Sequence, residues 1–222
     1  MRRILGVVEM QARAEATRRM ILDVAVELFD SVGYRNASLA DLITATGVSK
    51  GAFYYHFTNR ESVAAAIIEE ADAMLQTTSR EILADPSGGA LGNLIRTVFE
   101  IAALSRRVSL LRVGIQLRGG LGQISTATEG FKQHRELFTT VAHAAITDGD
   151  LRADLDSEQV GNTLWVAVLG THQHCDATGE DITARLADVF TVMLPAVCTP
   201  EAAPEYAALV QRMAAAPAEL PG

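Results

Sequence analysis

What this chain of 222 residues lacks narrows its function first. It holds two cysteines, Cys175 and Cys198, which imply no disulfide scaffold and lack the paired spacing of a zinc site. It contains no run of about eighteen uncharged apolar residues, so no membrane span is expected. The opening MRRILGVVEM carries two arginines, but its apolar part is short and is followed by Glu9. That pattern argues against a secretory leader and for a cytoplasmic protein, with Met10 as an alternative start to Met1. No nucleophile motif, metal triad or cofactor fingerprint joins the histidines and carboxylates, so neither an enzyme nor a cofactor is expected. His172, His174 and Cys175 lie close in sequence, but residues two apart on a helix face different ways, and no metal site is expected. Positive charge is also short, at a net charge of -8.

What is there is helical. Hydrophobic residues make up 49% and charged residues 21%, the balance of a globular chain with a substantial core. Ile21, Ala25, Leu28, Phe29 and Val32 repeat at helical spacing and predict one buried face. Similar periods recur at Leu91 to Ala102, Leu110 to Ile115, Phe131 to Ile146, Val160 to Leu169 and Ile182 to Leu194. Nothing alternates as a strand over a useful length. Pro86-Ser87-Gly88-Gly89 is the clearest break. Gly119-Gly120-Leu121-Gly122 reads as a loop; no Lys-Ser/Thr follows and no strand precedes, as a phosphate cradle requires. Ala202 to Ala215 predicts a last helix, after which PAELPG is expected to fray.

The segment SLADLITATGVSKGAFYYHF, Ser38 to Phe57, predicts two short helices about a tight turn. Ser38 and Asp41 have the spacing of a capping box, and Leu39, Leu42 and Ile43 form the stripe behind it. Gly47 supplies the positive φ of the break, and Ser49 caps the next helix, Lys50 to His56. Phe53 and Phe57, four apart, are expected inside, whereas Tyr54 and Tyr55 face outward. Such a helix-turn-helix suits a DNA groove. Ser38, Thr44, Ser49, Lys50, Gly51, Tyr54, Tyr55, His56 and Arg60 are its candidate DNA contacts. Ser49, Lys50 and Gly51 gather amides and positive charge where phosphate binds, with His56 and Arg60 as backbone contacts.

Charge distribution answers the objection of net acidity. Residues 1 to 60 hold eight Lys/Arg against six Asp/Glu, +2, leaving the remainder at -10. Screening over about 8 Å makes local rather than total charge decisive for a DNA-facing surface.

Residues 13 to 70 resemble the TetR-type bacterial transcriptional regulators. TRRMILDVAVELFDSVGY is similar to that family's first helix, and VSKGAFYYHFTNRE to its recognition helix and the junction with the fourth; Arg60 stands where Lys is commoner. A further similarity, in LLRVGIQL and in RELFTTVAHAAITDGDLRADLDSEQVGNTLWVAVLGTH, is to the γ-butyrolactone receptor branch, with His134 where that branch carries Trp. The resemblance implies an all-α protein: a three-helix DNA-binding domain over residues 11–60 and a larger helical-bundle domain over 61–216 for ligand binding and dimerisation. Helix 4, about 59–85, would start at a Thr58/Glu61 capping box and connect them. The resemblance further implies a homodimer on double-stranded operator DNA, paired through Ser157 to His174 and Asp181 to Val197. A small-molecule effector would release it, and secondary-metabolite genes would be its targets. A pseudo-receptor for an antibiotic or its intermediate, and a ligand-independent regulator, are the alternatives. Candidate ligand contacts are Gln116, His134, Trp165, Thr171 and His172, polar groups set among apolar helical neighbours. Structural roles compete for each, Trp165 reading equally as a core aromatic.

Overall fold

The computed structural model describes residues 2–120 and 125–216, with the side chains of 2–9, 120 and 125–129 excepted. Among the described residues there are ten helices and no strand. They are α1 (Arg2–Val32), α2 (Leu39–Thr46), α3 (Lys50–His56), α4 (Arg60–Leu83), α5 (Ala90–Arg107), α6 (Ser109–Gly120), α7 (Ser125–Asp148), α8 (Ser157–Thr178), α9 (Ile182–Val197) and α10 (Ala203–Ala215). Leu121, Gly122 and the PAELPG tail lie outside the described residues.

Two compact units result. One comprises the described residues through Asp72 together with α6; the other runs from Ala73 through Arg107 and from Ala127 onward. This division differs from a boundary at residue 60, because α4 as far as Asp72 and all of α6 group with α1.

In the first unit the buried face of α1 is Ile21, Leu22, Ala25, Val26 and Phe29. This corrects the expected stripe: Val32 is 44% exposed and Leu28 only half-buried, while Leu22 and Val26 turn inward. Ion pairs join its helices at the rim. Arg19 reaches Glu70 of α4 at 2.8 Å, and Arg112 of α6 grips Asp30 of α1 through two bonds of 2.8 and 2.6 Å. The Arg112 guanidinium holds the Asp30 carboxyl below its ordinary pKa. Arg118 of α6 is buried against Asp72 of α4. Burial brings its pKa down to about 10, so it stays charged at neutral pH and depends on that carboxylate.

Two sequence boundaries move. The capping residue of α4 is Asn59 rather than Thr58: the Ser62 amide donates to Asn59 Oδ1 at 2.7 Å and the Asn59 amide to Ser62 Oγ at 3.3 Å. Gly119 and Gly120, expected in a loop, close α6.

The second unit is built on α5, buried on most of its circumference from Leu91 to Ala102 and packed against α9 and α10. Its core includes Phe99 stacked on Phe190, centroids 6.0 Å apart. The break at Pro86 to Gly89 is ordered by Ser87, whose hydroxyl and amide both donate to Asp85, while buried Asn93 donates to the Asp85 carbonyl at 2.6 Å. Gly161 of α8 lies so close to α7 that an added Cβ would meet the Thr139 backbone at 2.5 Å; only glycine permits this approach. A single bridge pairs Leu151 with Cys198 and joins the α7–α8 loop to the end of α9.

Candidate functional site

The helix-turn-helix is assembled by its caps. The Ser38 amide donates to Asp41 Oδ2 at 2.9 Å and the Asp41 amide to Ser38 Oγ at 3.1 Å. Hydrogen bonds from Ser38 also hold the Asp41 carboxyl below its ordinary pKa. Gly47 closes α2 at φ 66°, in the left-handed region, and its N–H returns to the Thr44 carbonyl. Ser49 then caps α3, accepting from the Ala52 amide at 3.2 Å.

Two aromatics anchor α3 and two are displayed. Phe53 is fully buried and Phe57 nearly so, their rings tilted 6.2 Å apart, with the Arg18 guanidinium 5.3 Å above Phe57. Tyr55 is 78% exposed and Tyr54 49%, and Ser49, Lys50 and Gly51 lie exposed at the α3 N-terminus. His56 is half-buried with its ring edge-on to Tyr55, and Thr44 is exposed on α2. These groups line one short element and its entry turn. Their chemistry fits phosphate and base edges: backbone amides, one ammonium, phenolic hydroxyls and a glycine that allows close approach.

Arg60 is placed differently. Its guanidinium lies 4.1 Å from the Tyr34 ring centroid and donates to the Tyr34 and Ala37 carbonyls at 3.1 and 2.7 Å. It ties the turn before α2 to the start of α4. Arg18, Arg19 and Arg60 are thus occupied inside the unit, which leaves Arg13, Arg35 and Lys50 as exposed cations without an ion pair among the described residues 10–60. Arg35 was invisible to motif reading because nothing in its sequence context separates a paired from an unpaired arginine.

The candidate ligand contacts fall in both units. Gln116 belongs to the first unit, exposed on α6 beside a cleft of about 530 Å³ that Phe29, Tyr34 and Arg35 also line. The other four belong to the second. There the His134 imidazole on α7 stacks on the Trp165 indole of α8, centroids 5.3 Å apart and planes 16° from parallel. Phe131 and Phe138 pack on the same indole. His134 Nδ1 bonds the Gly130 carbonyl at 2.6 Å. Thr171 is buried with its hydroxyl donating to the Ala167 carbonyl, and His172 is buried, its pKa pushed down to about 4 by burial. His134 also lines a second-unit cleft between α4 and α7, with Ser79, Arg80, Leu83 and Leu137 among its walls. The α4 residues there were absent from the sequence-derived set, since an amphipathic connector helix marks no residue as cavity-facing.

Comparison with known proteins matches both the helix-turn-helix and the helices beyond it. The model of bacterial regulatory proteins of the tetR family matches residues 21–67, and the model of the tetracyclin repressor-like C-terminal domain matches residues 88–199. The chain belongs to the TetR family. The A-factor receptor protein of Streptomyces griseus is 36% identical over 107 residues, covering 48% of this chain and 36% of that receptor. The chain therefore spans little more than a third of that relative. A solved gamma-butyrolactone receptor, an ArpA-like protein, is similar with a TM-score of 0.77 and 28% identity, over 91% of this chain and 98% of that one. The TetR-family protein CprB from Streptomyces coelicolor, in complex with its biological operator sequence, gives a TM-score of 0.72 and 27% identity, over 90% and 98%. This TetR-family chain thus resembles the γ-butyrolactone receptors over nearly its whole length. Among its described residues, no helix is long and apolar enough to cross a membrane.

Proposed function

We propose that this chain is a ligand-responsive transcriptional repressor that binds a pseudo-palindromic operator as a homodimer and is released by a γ-butyrolactone-like or other small metabolite. The observation that carries the reading is the exposed face of α3, with Lys50, Tyr54 and Tyr55 outward on a base of buried Phe53 and Phe57. A helix needing only to pack would not display two tyrosines beside a capped, cationic N-terminus. Ser38, Thr44, Ser49, Gly51 and His56 complete the contact set, and Arg60 acts by holding the turn in shape. The similarity to CprB, solved with its operator, supports this use of the motif.

Dimerisation is assigned to α8 and α9, where Val166 is 64% and Val192 76% exposed. A two-fold dimer offers two copies of α3 to half-sites about 34–36 Å apart. Residues 11–60 serve as the DNA-binding domain, α4 as connector and the following helices as the regulatory domain. A ligand bound to the second unit lowers operator affinity only as far as it prefers the conformation that binds DNA poorly. The cleft of about 500 Å³ favours this reading over a ligand-independent regulator. Secondary-metabolite genes are the targets this reading assigns, and the likeness to a solved protein described by its control of antibiotic production supports them.

Footprinting the purified chain on DNA upstream of its own and neighbouring genes tests the reading. Protection of a two-fold symmetric site, relieved by organic extracts of the source culture, is the expected result. Absence of any protected site would sink it.

A further inference from the structure

The second-unit cleft between α4 and α7 differs chemically from an all-apolar pocket. Leu83 and Leu137 supply apolar wall, and the Gln76 amide donates to Gln133 Oε1 at 3.0 Å, tying the two helices together at the cleft. Ser79 is 6% exposed and has no hydrogen-bond partner among the described residues, although it lines the cleft. A hydroxyl with no such partner is free to donate into the cleft, so a group that accepts from it is favoured there. Arg80, one residue on, also lines the cleft and pairs with no carboxylate among the described residues. An unbonded hydroxyl and an uncompensated guanidinium therefore both line a cleft that also has apolar wall. Both can donate to the same acceptor, and a carboxylate accepts from both at once.

We infer that this cleft binds an amphipathic organic anion, its carboxylate on Arg80 and Ser79 and its apolar chain along Leu83 and Leu137 beside His134. The inference rests on the effector-responsive reading above and gives the effector a charge. A neutral lactone offers acceptors but no counter-charge, and burying the cleft beneath it would leave the guanidinium partly desolvated without compensation. Because Arg80 is exposed, the charge pair supplies a modest preference, about tenfold.

The molecule carries its own reporter. Trp165 is its single tryptophan and stacks on His134, a wall of the cleft. Full-length protein titrated with decanoate, and separately with γ-decalactone of equal carbon number, is followed by Trp165 fluorescence. Saturable binding of decanoate about tenfold tighter than the lactone is expected. Arg80→Gln should abolish the preference, Arg80→Lys should keep part of it, and Ser79→Ala should weaken decanoate more than lactone. Circular dichroism of each variant establishes that it is folded. Equal or tighter binding of the lactone, binding of neither probe, or an unchanged preference in Arg80→Gln overturns the inference.

A parallel band-shift on a duplex selected from a random library separates the two ideas. A chain that captures no duplex fails as a DNA-binding regulator whatever the fluorescence reports. A chain that captures one but shows no anion preference fails only here.

Discussion

The Arg60 guanidinium donates to the Ala37 carbonyl at 2.7 Å, immediately before the residue that caps α2. Its second bond, to Tyr34, and its position over the Tyr34 ring make it a brace for the whole turn. Charged donors to backbone carbonyls are worth about 1.5–3 kcal/mol where partly buried. Arg60→Ala should therefore lower unfolding stability by about 2 kcal/mol, and Arg60→Lys should recover little because an ammonium cannot reproduce the planar fork. Urea denaturation of the two variants reads this directly. Unchanged stability with a reduced salt slope of DNA binding would instead make Arg60 a phosphate contact.

Lys50 and Arg35 are exposed and unpaired among the described residues, so they fit the reverse pattern. Lys50→Ala should leave stability within about 0.5 kcal/mol. It should weaken binding to every DNA sequence alike, with the slope of log affinity against log salt falling by about 0.9. Arg35→Ala is expected to behave the same way. A salt titration of operator binding that superimposes on the parent would remove either residue from the interface.

Gly47 isolates backbone strain from packing. A Cβ added there meets nothing within 4 Å, yet φ is 66°. Gly47→Ala should cost about 1–2 kcal/mol from the left-handed conformation alone. Gly47→Asn should cost less, since asparagine tolerates that region. Equal losses from both, measured by thermal unfolding, would mean that something other than φ governs the turn.

His172 makes acid stability testable. Its folded pKa is pushed down to about 4 by burial, against an ordinary value of 6.5. Between those values the unfolded chain takes up a proton that the folded chain refuses, so stability is full above pH 6.5 and declines as pH falls toward 4. The loss reaches at most about 3 kcal/mol. His172→Gln, which buries no titrating group, should flatten the decline across that window in urea midpoints measured from pH 7 to 4.5. Parallel profiles for the two proteins would count against the assignment.

The caps were legible because capping is local chemistry. Ser38, Asp41, Gly47 and Ser49 sit within a few residues of the groups they satisfy, and their types restrict the backbone directly. The inward Phe53 and Phe57 and outward Tyr54 and Tyr55 followed from helical spacing. Asn59 displaced Thr58 as the cap of α4 because both residues can accept, and only the entry path of the chain chooses between them. The α1 stripe rotated for a related reason: Leu22 and Val26 fit the helical period as well as Leu28 and Val32, and the neighbouring helices select the face.

By itself the sequence determined the all-α class, the two capped helices and their turn, and the display of α3, since each depends on bonds or periodicities spanning a few residues. Only the tertiary structure decided which arginines are spent on the scaffold. Arg60, Arg112 and Arg118 find carbonyls or carboxylates 23 to 82 residues away, whereas Arg35, Lys50 and Arg80 find none among the described residues. The physical reason is that a charge is neutralised by whatever folding brings within a few ångströms, and chain separation does not set that distance.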